Sequence, residues 1–169
     1  MTPLERLWNG WRSTYVQSIG STEALPGEGS IFTRILQSVL TDDEAHIVHR
    51  GARCFVILNA FPYGSGHVLV LPYREVANLE DLDADETAEL WATVTEAVRA
   101  IKVAYTPDGV NVGVNLGRPA GGSVSEHLHV HVVPRWTGDA NFMTAIANTR
   151  TLPEPLDDTA TKIRAAWPR

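Results

Sequence analysis

The stretch that most constrains this chain is His127-Leu128-His129-Val130-His131-Val132-Val133-Pro134. At the two-residue period of an extended strand the three histidines fall on one face and Leu128, Val130 and Val132 on the other, so a strand displays imidazoles over an apolar backing. A helix would scatter them. Same-face neighbours on a strand stand about 6.5–7 Å apart, the span of a phosphate with its flanking oxygens. The chain holds six histidines, and three of them within five positions call for a use, because burying titratable rings side by side is costly. On the residues alone three readings stay open. The rings could be hydrogen-bonded structural groups. Two of them could ligate zinc with a further ligand from elsewhere. One could attack phosphorus while its neighbours orient it and handle protons.

Length and charge narrow the setting. A chain of 169 residues, 44% of them hydrophobic, can bury one sizeable core and has no room for two. The net charge of −6 and pI near 5.4 oppose a nucleic-acid polymer or an anionic membrane as main partner. A small anionic ligand stays compatible, held by local dipoles and side chains. Cys54 is the single cysteine, so an internal disulfide and any multi-cysteine metal site are out, which suits a reducing cytoplasm. Glu5 and Arg6 stand where a signal peptide needs an apolar run, and no apolar stretch reaches membrane-spanning length. The expectation is a soluble, cytoplasmic protein.

Along the chain, Pro3 followed by Leu4, Leu7, Trp8, Trp11 and Tyr15 predicts an amphipathic helix with an aromatic stripe, suited to core or subunit contact. Gly20 to Gly29 reads as a connector, Ser30 to Leu40 as a short helix, and His46 to His49 as a brief strand. The β-rich runs 53–59 and 67–72 form a hairpin with a long tip, Ala60 to Gly66. Asp83 and Glu86 make a capping box for a helix running to about Ala104, with Leu90, Val94, Val98 and Ile101 on one side. Val110 to Asn115 alternates as a strand, and a glycine-bearing loop over 117–123 leads into the histidines. Leu156, Ala160, Ile163 and Trp167 predict a closing helix. Hairpin-linked strands with one long helix give α+β and not a doubly wound sheet, and no G-x-G-x-x-G opens a helix.

Several of these motifs, in this order, resemble the histidine triad (HIT) family of nucleotide hydrolases and transferases: Asn59-x-x-Pro62, then Gly66-His67-x-Leu69-x-x-Pro72, then Gly121-Gly122-Ser123-x-x-x-His127, then the triad through Arg135. The resemblance runs from Phe55 to about Phe142. It implies a five-stranded antiparallel sheet carrying helices, usually paired into a homodimer or higher homo-oligomer. It divides the chain into a helical extension over 1–50, a HIT domain over 51–142 and a tail with a helix over 143–169. It makes His129 the nucleophile that attacks the α-phosphorus of an adenosine polyphosphate. His127 and His131 would fix the tautomer, donate to phosphate oxygens and assist the leaving group. His67 would support them, Asn59 contact ribose, and Phe61 and Pro62 face the base. A divalent metal such as Mg²⁺ would accompany the substrate, with no bound cofactor.

Two departures narrow the reaction. Ser123 stands four residues before the first triad histidine, where the hydrolases usually carry Gln. A hydroxyl and free backbone N–H groups leave a compact place for inorganic phosphate. The stretch from Asn115 through Phe142 is similar to the HIT-type diadenosine tetraphosphate phosphorylases of actinobacteria, which implies transfer of an adenylyl group to phosphate, with Asn115, Gly122 and Ser123 around that acceptor. The alternative is a family hydrolase acting on diadenosine polyphosphates or nucleoside phosphoramidates. Many bacterial relatives also open with C-x-x-C; the matching place here is Ser30-Ile31-Phe32-Thr33, and no histidine follows Pro72 where such relatives have another ligand. Structural zinc is therefore not expected.

Overall fold

The computed structural model describes residues 26–121, 124–139 and 154–168. The aromatic helix expected from Pro3 to Tyr15, and Gly122 and Ser123, lie outside them. The strands are β1 (Ile47–Arg50), β2 (Cys54–Leu58), β3 (Val68–Pro72), β4 (Gly109–Val114) and β5 (Val130–Arg135). They form one antiparallel sheet in the order β1-β2-β3-β5-β4. The helices among the described residues are α1 (Ile31–Gln37), α2 (Ala84–Tyr105) and α3 (Leu156–Ala166). The fold is α+β. Its sheet takes β1 from residues before 51, the segment assigned above to the extension.

Both faces of the sheet are covered, which is why β2 and β3 read as continuous apolar runs. Cys54, Val56, Leu58, Val68, Val70, Val130 and Val132 pack with Leu90, Val94, Ala97 and Ile101 of α2 and with Ala160 and Ile163 of α3. Phe55, Ile57, Leu69 and Leu71 turn the other way and meet Phe32 of α1. Each fully buried side chain of this size contributes about 1.5–3 kcal/mol of transfer free energy. The α2 capping box forms as expected: Asp83 accepts from the Glu86 N–H, and Glu86 accepts from the Asp83 N–H.

One expectation needs correcting. The histidine stretch is not one strand, because β5 begins only at Val130. The β3–β5 pairing places Val70 opposite Val130, and two residues further along β3 comes Pro72, which has no N–H to donate. The ladder stops there. The Leu128 N–H donates instead to the Val76 carbonyl at 2.6 Å. The backbone nevertheless stays alternating, with Leu128, Val130 and Val132 all in the core under α2.

The hairpin tip closes through Gly66, whose φ of +81° is a left-handed value. A Cβ there would lie 3.0 Å from Pro134 Cγ and 3.1 Å from Tyr105 Cε2, so glycine lets the tip press against β5 and the end of α2. Gly66→Ala should destabilise the protein by about 1–3 kcal/mol. Urea unfolding checks this, and an unchanged midpoint contradicts it.

Candidate active site

The site is built from the first histidine outward. His127 is 1% exposed, and both its ring nitrogens are committed to protein. Nε2 lies 2.9 Å from the Pro72 carbonyl, which can only accept, so Nε2 carries the proton. Nδ1 lies 2.7 Å from Ser30 Oγ. Burial pushes the His127 pKa down, so at neutral pH the ring is uncharged and Nδ1 accepts from the serine hydroxyl. Phe32, two residues along from Ser30, packs its ring edge-on against His127, with centroids 5.6 Å apart.

The His127 backbone carbonyl then sets the second ring. His129 Nδ1 lies 2.8 Å from it, and since a carbonyl has no proton to give, Nδ1 must hold one. In the neutral ring this leaves Nε2 as the bare lone pair, the form required of a nitrogen nucleophile. The His129 Nε2 makes no hydrogen bond among the described residues. Phe32 also backs this ring, at 5.7 Å between centroids, and His131 meets it edge-on at 4.9 Å.

A second relay sets the third ring. The Tyr63 N–H donates to His67 Nδ1 at 3.0 Å, so the proton of neutral His67 sits on Nε2, which lies 3.0 Å from His131 Nδ1. His131 Nδ1 accepts it, leaving the neutral His131 ring with its proton on Nε2. That N–H faces a cavity of about 980 Å³, lined among others by Tyr63, Ser65, Asn115, His131, Arg135 and Trp136. The Tyr63 ring stacks on His131 at 5.8 Å, and the Asn115 side-chain amide lies beside His131 Nε2, where its oxygen is the end that can accept the Nε2 proton. Burial, aided by repulsion from His129, drives the His131 pKa down to about 4. The arrangement thus offers a nucleophile at His129 Nε2 and, beside it, a neutral N–H donor suited to a phosphate oxygen.

Known proteins carry the same sheet and triad region. The HIT domain family model matches residues 41–138. The chain belongs to the HIT family. An AP-4-A phosphorylase of Mycobacterium tuberculosis is 46% identical over 171 residues, covering 98% of this chain and 86% of that protein. A bis(5'-adenosyl)-triphosphatase of Dictyostelium discoideum is 35% identical over 81 residues, 48% of this chain and 54% of its own. Among solved structures, a HIT-like protein from Bartonella henselae superposes with TM-score 0.68 at 28% identity, covering 83% of this chain and 97% of that one. A Zn-bound histidine triad protein from Mycobacterium smegmatis gives TM-score 0.66 at 27% identity, covering 82% and 92%.

Within this HIT fold, His127, His129, His131, His67 and Asn115 come together as the sequence suggested. Asn59 joins them, its amide nitrogen 3.3 Å from the His67 ring nitrogens and its oxygen accepting the Phe61 N–H at 2.9 Å. Phe61 is half-exposed at the hairpin tip, whereas Pro62 is buried. The His127 ring is a correction: with both nitrogens engaged it has no donor left for phosphate, and it acts on its neighbour through its carbonyl. Tyr63, Ser30 and Phe32 were missed as site residues. Tyr63 sits between the family's Asn and His motifs, and its aromatic character at a glycine-bearing tip was the one available signal.

The relay predicts a pH signature. An unfolded histidine titrates near 6.5, above the folded value of about 4 for His131, so the unfolded chain takes up its proton first as pH falls. The stabilising contribution is complete above about pH 6.5 and is lost as pH drops towards 4. In an NMR titration the His131 ring should stay neutral from pH 8 to 5.5; titration near 6.5 contradicts the relay.

Proposed function

We propose that this chain is a nucleotidyltransferase that cleaves diadenosine 5',5'''-P1,P4-tetraphosphate with inorganic phosphate to ADP and ATP through a covalent adenylyl-His129. The observation that carries this reading is the His127 carbonyl on His129 Nδ1, which reserves Nε2 for phosphorus. It is supported by the likeness to the AP-4-A phosphorylase over nearly the whole chain. His129 Nε2 attacks an α-phosphorus; the N–P bond forms as the P–O bond to the remaining three phosphates breaks, and ATP leaves. The imidazolium so formed keeps its Nδ1 proton against the His127 carbonyl. A phosphate oxygen then attacks the same phosphorus, the N–P bond breaks, and ADP departs with the histidine regenerated. The His131 Nε2–H would donate to the phosphoryl oxygens in both steps.

The substrate is an adenine dinucleotide polyphosphate, entering as its complex with a divalent cation such as Mg²⁺. A cavity of about 980 Å³ is at the upper end of the usual range for ligand sites, as a dinucleotide needs. Inorganic phosphate is assigned to the neighbourhood of Asn115, Gly122 and Ser123. The Asn115 amide beside His131, and Gly121, whose φ of +98° turns the loop next to Asn115, support that placement. The same reading has the protein working in the cytoplasm as a homodimer or larger homo-oligomer. No helix among the described residues is long and apolar enough to cross a membrane, and β4 is an edge strand with Val112 exposed, a surface that invites pairing.

Incubation with diadenosine tetraphosphate, with and without phosphate, tests this. Repeated turnover to equal amounts of ADP and ATP should require phosphate, with no more than one ATP per site released without it; continued formation of AMP and ATP regardless of phosphate would make the chain a hydrolase instead. His129→Ala should lose roughly 10³-fold or more in kcat, and turnover at the wild-type rate contradicts the mechanism.

A further inference from the structure

Behind the triad lies a closed set of hydrogen bonds that the mechanism above does not use. Glu75 Oε2 accepts the Ser30 N–H at 2.8 Å and the Thr33 hydroxyl at 2.5 Å. Ser30 Oγ accepts the Thr33 N–H at 3.2 Å and reaches His127 Nδ1 at 2.7 Å. We infer that Glu75 is a positioning residue for the reaction: through Thr33 and Ser30 it holds the His127 ring, and through the His127 carbonyl it places His129. The inference rests on the proposed chemistry for its kinetic readout and on the geometry for its spectroscopic one.

The direction of every proton follows from the two ends. The Pro72 carbonyl takes the Nε2 proton of His127, so the uncharged ring offers only a lone pair at Nδ1. The Ser30 hydroxyl must therefore give its proton to that lone pair. At the other end an ionised carboxylate can only accept, so the Thr33 hydroxyl points at Glu75; that bond, the largest influence on it, holds the Glu75 carboxyl below the usual carboxylate range. The Ser30 oxygen is thereby left free to face His127. Remove the carboxylate and the Thr33 hydroxyl can turn to Ser30 Oγ, 3.2 Å away, and the Ser30 backbone N–H loses its acceptor. The aim of the serine on His127 then relaxes.

This cluster also explains what stands in place of the C-x-x-C of metal-binding relatives. By the resemblance, Ser30 and Thr33 stand where such relatives carry their two cysteines. Two neutral hydroxyls, one carboxylate, and an imidazole whose lone pair already receives a proton form a poor donor set for zinc. Here the first histidine is held by hydrogen bonds.

The test compares Glu75→Ala, Glu75→Gln, Ser30→Ala and the Ser30→Ala/Glu75→Ala double variant, in the full chain, with diadenosine tetraphosphate as substrate and saturating phosphate. Glu75→Ala and Ser30→Ala should each lower kcat by about 10–100-fold, the usual effect of removing a partner that orients a functional group, with KM changed less than about 3-fold. Glu75→Gln keeps an acceptor oxygen and should restore kcat to within about 5-fold of wild type. The double variant should lose no more than the worse single one, because both act along one path. On ¹⁵N-labelled protein, the His127 Nδ1 resonance should move in Glu75→Ala, although Glu75 does not touch that ring, and stay in place in Glu75→Gln. Wild-type kcat in Glu75→Ala, multiplying losses in the double variant, or an unmoved His127 Nδ1 resonance each overturns the inference. If Glu75→Ala does not fold, Ser30→Ala and Glu75→Gln decide it by the same readings. Should the wild type show no phosphorolysis, the functional proposal fails while the His127 resonance still judges the relay.

Discussion

A single backbone carbonyl, that of His127, determines what the site can do. Because it can only accept, the 2.8 Å bond to His129 Nδ1 dictates which nitrogen of the neighbouring ring carries a proton and which is left as nucleophile. A side-chain partner could titrate or rotate away; a carbonyl in the main chain cannot. Its own position depends on the His127 ring, pinned between the Pro72 carbonyl and Ser30. The chemistry at one imidazole therefore rests on hydrogen bonds reaching back to the end of β3 and the start of α1.

The fold makes that possible by ending a ladder in a particular place. Pro72 lacks the N–H that would have continued the β3–β5 pairing, and its carbonyl, no longer paired with β5, holds the His127 ring instead. Burying three histidine rings beside a half-buried fourth is normally unfavourable. Here one nitrogen after another finds an acceptor or donor, and desolvation keeps His127 and His131 uncharged, so mutual repulsion is avoided. Phe32 supplies the apolar wall against two of the rings, while the opposite face of the sheet is filled by α2 and α3. Rigidity at the rings and openness towards the cavity meet at His131.

What was legible in the sequence was whatever local spacing encodes. The alternation of His127 to Val132 gave the shared face of the imidazoles, Asp83 with Glu86 gave the start of α2, and the continuous runs 54–58 and 68–72 gave the central strands. The start of β5 was not legible, since it depends on the register that brings Pro72 opposite the triad. Ser30 and Glu75 were hidden for a related reason: each reaches the histidines across a large sequence separation, 97 residues between Ser30 and His127. Ser30 and Thr33 were noticed only for lacking thiolates. Their hydroxyls acquire a purpose once Glu75 is seen beside them.

The claim that matters most is that a phosphorus–nitrogen bond forms at His129 Nε2. The direct measurement is to mix the protein with diadenosine tetraphosphate in the absence of phosphate, quench within milliseconds into base, and map the adenylyl adduct by peptide mass spectrometry and ³¹P–¹⁵N coupling. One adenylyl group per site is expected, on His129 through Nε2, formed at least as fast as turnover. An adduct on another residue, or turnover with none formed, would contradict it.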